Sequence, residues 1–315
     1  MKLKIILTII IITTVLYNCK GQKKDLIKME TVNKYEKDID KRAYYLNYDL
    51  FMTYDIYLND IKIEYEYQAI GSVYGMGYLN EYILNSGTQR IRLISKDLFP
   101  GKTNMPTKIF EKFNMEVYTA DENDENIEKV KIFDFPDIPT PKPYFFDNTW
   151  TFEAKVPFNL EGWKNGKDLT KIDEKELEKM VLEKFKHYHE LLNDGDVDQF
   201  MKENKKNFED FVIANYYQKG WSEYNDNIRE TISNQKGKML PLKNYKIKIY
   251  GNGKLVTLER IEINETYYGR SALMAVWEEK NKLYDDYILL YMPKDKNTLE
   301  PIRAIIDYDI YDYSK

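Results

Sequence analysis

The residues able to carry chemistry are few in kind, and their spacing excludes more than it supports. The 315-residue chain holds one cysteine, Cys19, and two histidines, His187 and His189. A single thiol forbids an intrachain disulfide and a thiolate zinc site alike. The histidines stand two residues apart in a helical stretch. That spacing points them about 200° apart around a helix axis, so one metal cannot use both. A Ser-His-Asp set would have to use one of them, and no G-x-S-x-G elbow accompanies it. Asp194, Asp196 and Asp198 alternate as in a calcium loop, but Gln199 stands where that loop needs glycine and Lys205 where it needs a bidentate Glu. Gly251-Asn252-Gly253-Lys254 lacks the spacing of a phosphate loop and lies between alternating runs, so it predicts a hairpin turn. The glycine-bearing stretch 71–77 reads as a loop and not a dinucleotide fingerprint, since no βαβ unit surrounds it. With 52 acidic residues a hydrolytic carboxylate pair is available, yet no spacing singles one out. These residue types imply no metal site, no cofactor and no catalytic set.

Tyrosine is the outlier, with 28 Tyr against 4 Trp. Exposed aromatic rings form sugar-stacking platforms and protein-binding hot spots; a chain rich in Lys, Ile, Asn and Tyr together also acquires them from genome composition alone. The densest acidic-aromatic run closes the chain. Asp307, Tyr308, Asp309, Tyr311 and Asp312 form a candidate surface for a basic partner, and a terminal strand with one wet face would give the same pattern. The formal net charge of −5 argues against nucleic acid as a partner and against broad adhesion to anionic lipid.

Hydrophobic residues at 43% and charged residues at 31% fit a globular body of one or two domains. The runs 54–58 and 61–67 alternate on either side of Asn59-Asp60, which is turn chemistry. Residues 79–84, then Asn85-Ser86-Gly87, then a strand at 89–94 follow. This order resembles carbohydrate-binding jelly rolls and related sandwiches, which implies a β-sandwich-like domain over 44–164. Four prolines (Pro136, Pro139, Pro141, Pro143) exclude helix and central strand from 135–143. Aromatics at 144–146 and 150–152 predict a last strand, and Asn165-Gly166-Lys167 marks the boundary. From residue 172 the period becomes helical at Leu177, Val181, Phe185, Tyr188 and Leu192. Asn193-Asp194-Gly195 ends that helix, and Asp196 with Gln199 predicts a capping box for a second segment carrying Phe200, Phe208, Phe211 and Val212. Strands are expected at 245–250, 254–263, 272–278, 287–292 and 302–310. Helices followed by antiparallel strands make 165–315 an α+β domain. Its order resembles the nuclear-transport-factor-2-like and cystatin-like folds, in which a helix packs on a curved sheet. Such folds host enzymes and inert binding modules alike.

The amino-terminal segment is of another kind. A basic start at 1–4 precedes an apolar run at 5–16, too short for a membrane span of about 20 residues and right for a signal peptide. Leu16-Tyr17-Asn18-Cys19 resembles the lipobox of bacterial lipoproteins. That resemblance implies cleavage after residue 18, a diacylglycerol on the Cys19 thiol, and a lysine-rich tether over 19–43. Lys20 supplies no aspartate-type retention signal, so the resemblance further implies the outer membrane. The expected role is an anchored, non-catalytic binding protein of the cell envelope, an immunity-type protein being one version. Glycan capture by the sandwich is the first alternative, and a carboxylate hydrolase in the second domain is the other.

Overall fold

A computed structural model of the chain describes residues 35–51, 53–67, 73–96, 113–121, 125–136, 145–216, 221–262 and 267–310. The signal segment, Cys19, most of the tether, Tyr311, Asp312 and the side chain of Asp307 lie outside the described residues. The class is α+β, with thirteen strands and four helices among the described residues.

Strands β1 (Arg42–Leu50), β2 (Tyr54–Leu58), β3 (Ile61–Glu66), β4 (Val73–Tyr78), β5 (Gly87–Lys96), β6 (Phe113–Asp121), β7 (Glu128–Ile132) and β8 (Phe145–Ala154) build the first half. They form two antiparallel four-stranded sheets, ordered β4-β1-β6-β7 and β3-β2-β5-β8. Alternation along each strand sends Leu46, Tyr48 and Leu50 of β1, Ile56 and Leu58 of β2, Ile91 and Leu93 of β5, and Met115 and Val117 of β6 into one shared core. Each such side chain stabilises the fold by about 1.5–3 kcal/mol. Asn59 and Asp60 take left-handed φ values of 51° and 67°, which the two-residue hairpin between β2 and β3 requires.

The stretch 71–77 departs from its expected loop, because 73–77 belongs to β4. Gly75 and Gly77 are there for packing. A Cβ at Gly75 would lie 2.2 Å from the Tyr48 hydroxyl oxygen, and one at Gly77 would lie 2.9 Å from Glu64. Bare backbone at those two positions lets Tyr48 pass from one sheet and donate to Glu64 Oε2 of the other, at 3.1 Å.

The second half carries α1 (Glu174–Asp194), α2 (Val197–Glu203), α3 (Lys205–Ala214) and α4 (Trp221–Asn234), followed by β9 (Tyr245–Tyr250), β10 (Leu255–Arg260), β11 (Met274–Trp277), β12 (Lys282–Tyr291) and β13 (Glu300–Ile310). The sheet runs β11-β12-β10-β9, with β13 paired along β12. Asp173 caps α1 by accepting from the amides of Lys175 and Glu176, and Gly195 closes it at φ 67°. The capping box is half realised. Asp196 accepts from the Gln199 amide, while the Gln199 side chain turns to Glu203 at 2.7 Å. The second helical segment divides at Asn204, whose side-chain amide bonds the Phe200 carbonyl at 2.9 Å. The strand expected at 287–292 starts earlier, at Lys282, and those expected at 254–263 and 272–278 are shorter than read. Leu177, Val181, Phe185, Tyr188 and Leu192 of α1 pack on Val256, Leu258, Ile288 and Leu290 of the sheet. Among the described residues no helix is long and apolar enough to cross a membrane.

The halves meet through side chains and backbone. Ile213, Ala214, Tyr250, Leu255, Leu289 and Ile302 of the second half join the core of the first. Arg303 donates to the Glu81 carbonyl at 2.8 Å, and Asn80 spans from the Tyr44 amide at 2.8 Å to the Ala214 carbonyl at 3.1 Å.

Candidate functional site: a tyrosine-lined pocket at the junction

The site begins with a register shift. Between Ile56 and Tyr57 the β2–β3 ladder slips, so that Ile56 opposes Glu64 and Tyr57 opposes Lys62, with Ile63 left over. Such a bulge re-aims side chains, because one extra residue reverses the faces beyond it. Glu64 therefore turns inward to Tyr48, while Lys62 and Tyr65 turn outward to the second half.

Lys62 ends in a buried cluster. Its ammonium lies 2.7 Å from Glu259 Oε1 of β10, and both side chains are only 3% exposed. Tyr250 and Tyr287 each donate a hydroxyl to that same carboxylate oxygen at 2.5 Å. Lys62 also donates to the Gly269 carbonyl at 2.8 Å and stands 4.7 Å from the Tyr65 ring centre. Burial alone would push the Glu259 carboxyl up; the Lys62 and Lys248 ammonium groups outweigh it and hold the group below the usual range. Burial and the Glu259 charge hold the Tyr250 and Tyr287 phenols far above their ordinary value, so both stay protonated and donating. Removing two charges from water is expensive, and only this dense partnering makes the pair tolerable. Alongside it, Tyr67 donates to Asp55 Oδ1 at 2.6 Å, and its ring stacks on Tyr65 at 5.0 Å.

Beside the cluster opens a pocket of about 180 Å³, walled by rings of Tyr65, Tyr82, Tyr287 and Tyr308 and by Ile63 and Ile305. Its charged wall is a bracket. Arg270 reaches Asp285 of β12 at 3.4 Å and Asp309 of β13 at 2.6 Å. Asp285 also accepts the Ser271 amide at 3.0 Å. Burial raises the Asp285 carboxyl to about 6, against the opposing pull of Arg270. Burial also works against the Arg270 charge, but Tyr65, Asp285 and Asp309 overcome it and raise that group above its usual value.

Two of the residues read from the sequence come together here. Tyr308 sits at the mouth, 39% exposed, with the Lys282 ammonium 3.7 Å from its ring centre. Asp309 is tied to Arg270. Asp307 pairs with Asp285 through the β12–β13 backbone ladder. Cys19, Tyr311 and Asp312 lie outside the described residues. The histidines diverge: His187 bonds Glu203 at 2.8 Å, and His189 bonds the Leu240 carbonyl at 3.0 Å. Asp196 is a helix cap and Asp198 pairs with Arg229. Among the described residues no group of three His, Cys, Asp or Glu side chains is placed to hold a metal.

Sequence reasoning missed Lys62, Tyr65, Glu259, Arg270, Asp285 and Tyr287. One signal was available, the acidic pair Asp285-Asp286 between Tyr284 and Tyr287, which sets charge inside an otherwise apolar strand. No protein-family model, curated protein or solved structure matches the chain.

Proposed function

We propose that the chain is a cell-envelope lipoprotein, held to the outer membrane through a lipid on Cys19, whose folded body binds a partner without transforming it. The observation that carries this reading is the pairing of the charges around the junction pocket. Arg270 is bracketed by Asp285 and Asp309, and Lys62 is bound to Glu259. Side chains so committed are poor acids, bases and nucleophiles, because proton transfer must first break an ion pair, buried for Lys62 and Glu259 and partly exposed for Arg270. They make a rigid frame instead, and the contact surface left to a partner is aromatic. Rings held in place lose little freedom on binding, which is the property of a hot spot.

The size of the pocket favours a small occupant. At about 180 Å³ it is smaller than the roughly 300–1,000 Å³ of small-molecule sites and suits one anchoring side chain. A protein partner, as for an immunity-type lipoprotein, is the class this favours. The helix-on-sheet arrangement of the second half is compatible with a nuclear-transport-factor-2-like or cystatin-like module, folds that serve in such binding roles.

The test is cross-linked affinity purification of the anchored protein beside its Tyr308→Ala and Tyr65→Ala variants. One stoichiometric protein, recovered with wild type and lost with both variants, is the expected result. Recovery unaffected by either change would sink the reading. Raised carboxyls speak for the hydrolase instead: burial brings Asp285, held by Arg270 in the pocket wall, to about 6 and Asp286 to about 8. The Asp286 carboxyl accepts from Gln235 at 3.0 Å inside the second half, which is the bonding of a structural group.

A further inference from the structure

A second opening lies where the β2–β3 turn, the outward faces of β5 and β8, and the β9–β10 turn converge. It holds about 480 Å³ and is lined by polar side chains. Its frame is fixed. Arg92 of β5 forks onto Asp147 of β8, with Nε to Oδ1 at 2.7 Å and Nη2 to Oδ2 at 2.5 Å. The two turns are clamped together, since Asp60 accepts the Gly251 amide on its carbonyl at 3.0 Å and the Asn252 amide on Oδ2 at 2.7 Å. The Asn59 side chain locks the β2–β3 turn to β5, donating to Gln89 at 2.8 Å and accepting the Arg90 amide at 3.1 Å.

Three exposed side chains project into this frame and form no side-chain hydrogen bond or ion pair among the described residues: the Arg90 guanidinium, the Thr149 hydroxyl and the Asn252 carboxamide. Thr149 stands opposite Arg92 in the β5–β8 ladder, and Arg90 is two residues along the same face. A planar fork of donors, a hydroxyl and an amide thus line the groove with the carboxylates of Asp60 and Asp147, whose oxygens already accept from Asn252 and Arg92 and have further acceptor capacity. Donors and acceptors line the same groove, and its volume of about 480 Å³ falls within the usual range of small-molecule sites. Vicinal hydroxyl groups answer this pattern, because each donates one hydrogen bond and accepts others. A simple anion would use Arg90 and meet the like charge of the Asp60 and Asp147 carboxylates beside it.

We infer that this groove is a saccharide-binding site, reading a pair of adjacent ring hydroxyls with Arg90, Thr149, Asn252 and the Asp147 carboxylate. It shares no side chain with the junction pocket, so the two sites stand or fall separately. Neutral and acidic sugars offer the same diol, and a ring carboxylate would add one contact to Arg90.

Saturation-transfer NMR on the full chain in a sugar-free detergent tests it, with glucose, N-acetylglucosamine and glucuronate as probes and acetate as competitor. At least one sugar is expected to show transfer that acetate at equal concentration leaves unchanged. Arg90→Ala should weaken that sugar at least tenfold and Thr149→Val severalfold, while Lys179→Ala on the exposed face of α1 keeps wild-type affinity. Both groove positions are exposed on strands, and valine suits a strand at least as well as threonine; an unchanged circular dichroism spectrum certifies the fold. Transfer from none of the three sugars would overturn the inference. So would displacement of the sugar by acetate, or affinity within twofold of wild type in both groove variants.

Discussion

Asp286 is fully buried, accepts from Gln235 through Oδ1, and has no partner for Oδ2 among the described residues. Burial raises its carboxyl from 3.8 to about 8, and the neighbouring Asp285 adds to that rise. Between those two values the folded protein keeps a proton that the unfolded chain releases. The stabilisation from that retained proton is therefore complete below about pH 4, and the fold loses it progressively as pH climbs toward 8. The loss amounts to about 1.4 kcal/mol per pH unit, or about 3 kcal/mol between pH 5 and pH 7.5. Asp286→Asn keeps an oxygen for Gln235 and removes the titration. Urea unfolding followed by tryptophan fluorescence should show the two proteins within about 2 kcal/mol at pH 5, with Asn the more stable by about 3 kcal/mol more at pH 7.5. Asp285 at about 6 and Glu81 at about 7 titrate in the same direction in both proteins, so the difference between them isolates Asp286. Parallel stability curves over that range would refute the burial argument.

Other outcomes follow from the packing. Lys62→Met leaves the Glu259 carboxylate buried against two tyrosine hydroxyls without its main counter-charge, and should cost about 3–5 kcal/mol by chemical denaturation; Lys62→Met combined with Glu259→Leu should recover much of that loss. Gly75→Ala sets a methyl group 2.2 Å from Tyr48 and should cost about 1–3 kcal/mol, read as a lower midpoint at unchanged slope. Asp173→Ala removes the acceptor of two α1 amides and should cost about 1 kcal/mol.

The first hairpin was legible in the sequence because two physical signals agreed there. Alternation, clean over 61–67 and partial over 54–58, gave both strands, and Asn59-Asp60 are residue types that tolerate the left-handed turn. Helix α1 was legible for a similar reason, with its apolar period ending at Gly195. Strand β4 was hidden, since glycines read as a loop when nothing shows the Tyr48 side chain that needs their missing Cβ atoms. The junction site was hidden by the bulge at Ile56–Tyr57. No local pattern announces the extra residue, and Lys62 takes its meaning from Glu259, far along the chain. Tyr308 and Asp309 could be singled out by density of charge and rings alone, but the neutralisation of Asp309 by Arg270 is a tertiary fact.

The proposed role of the junction pocket is to seat a side chain of a protein partner. A photo-cross-linking analogue placed at position 308, at the mouth of that pocket, tests it most directly in cells carrying the anchored protein. A single discrete adduct with another protein, abolished by Tyr65→Ala in the pocket wall, is the predicted result. The absence of any adduct, or one that forms equally well in the Tyr65→Ala background, would contradict it.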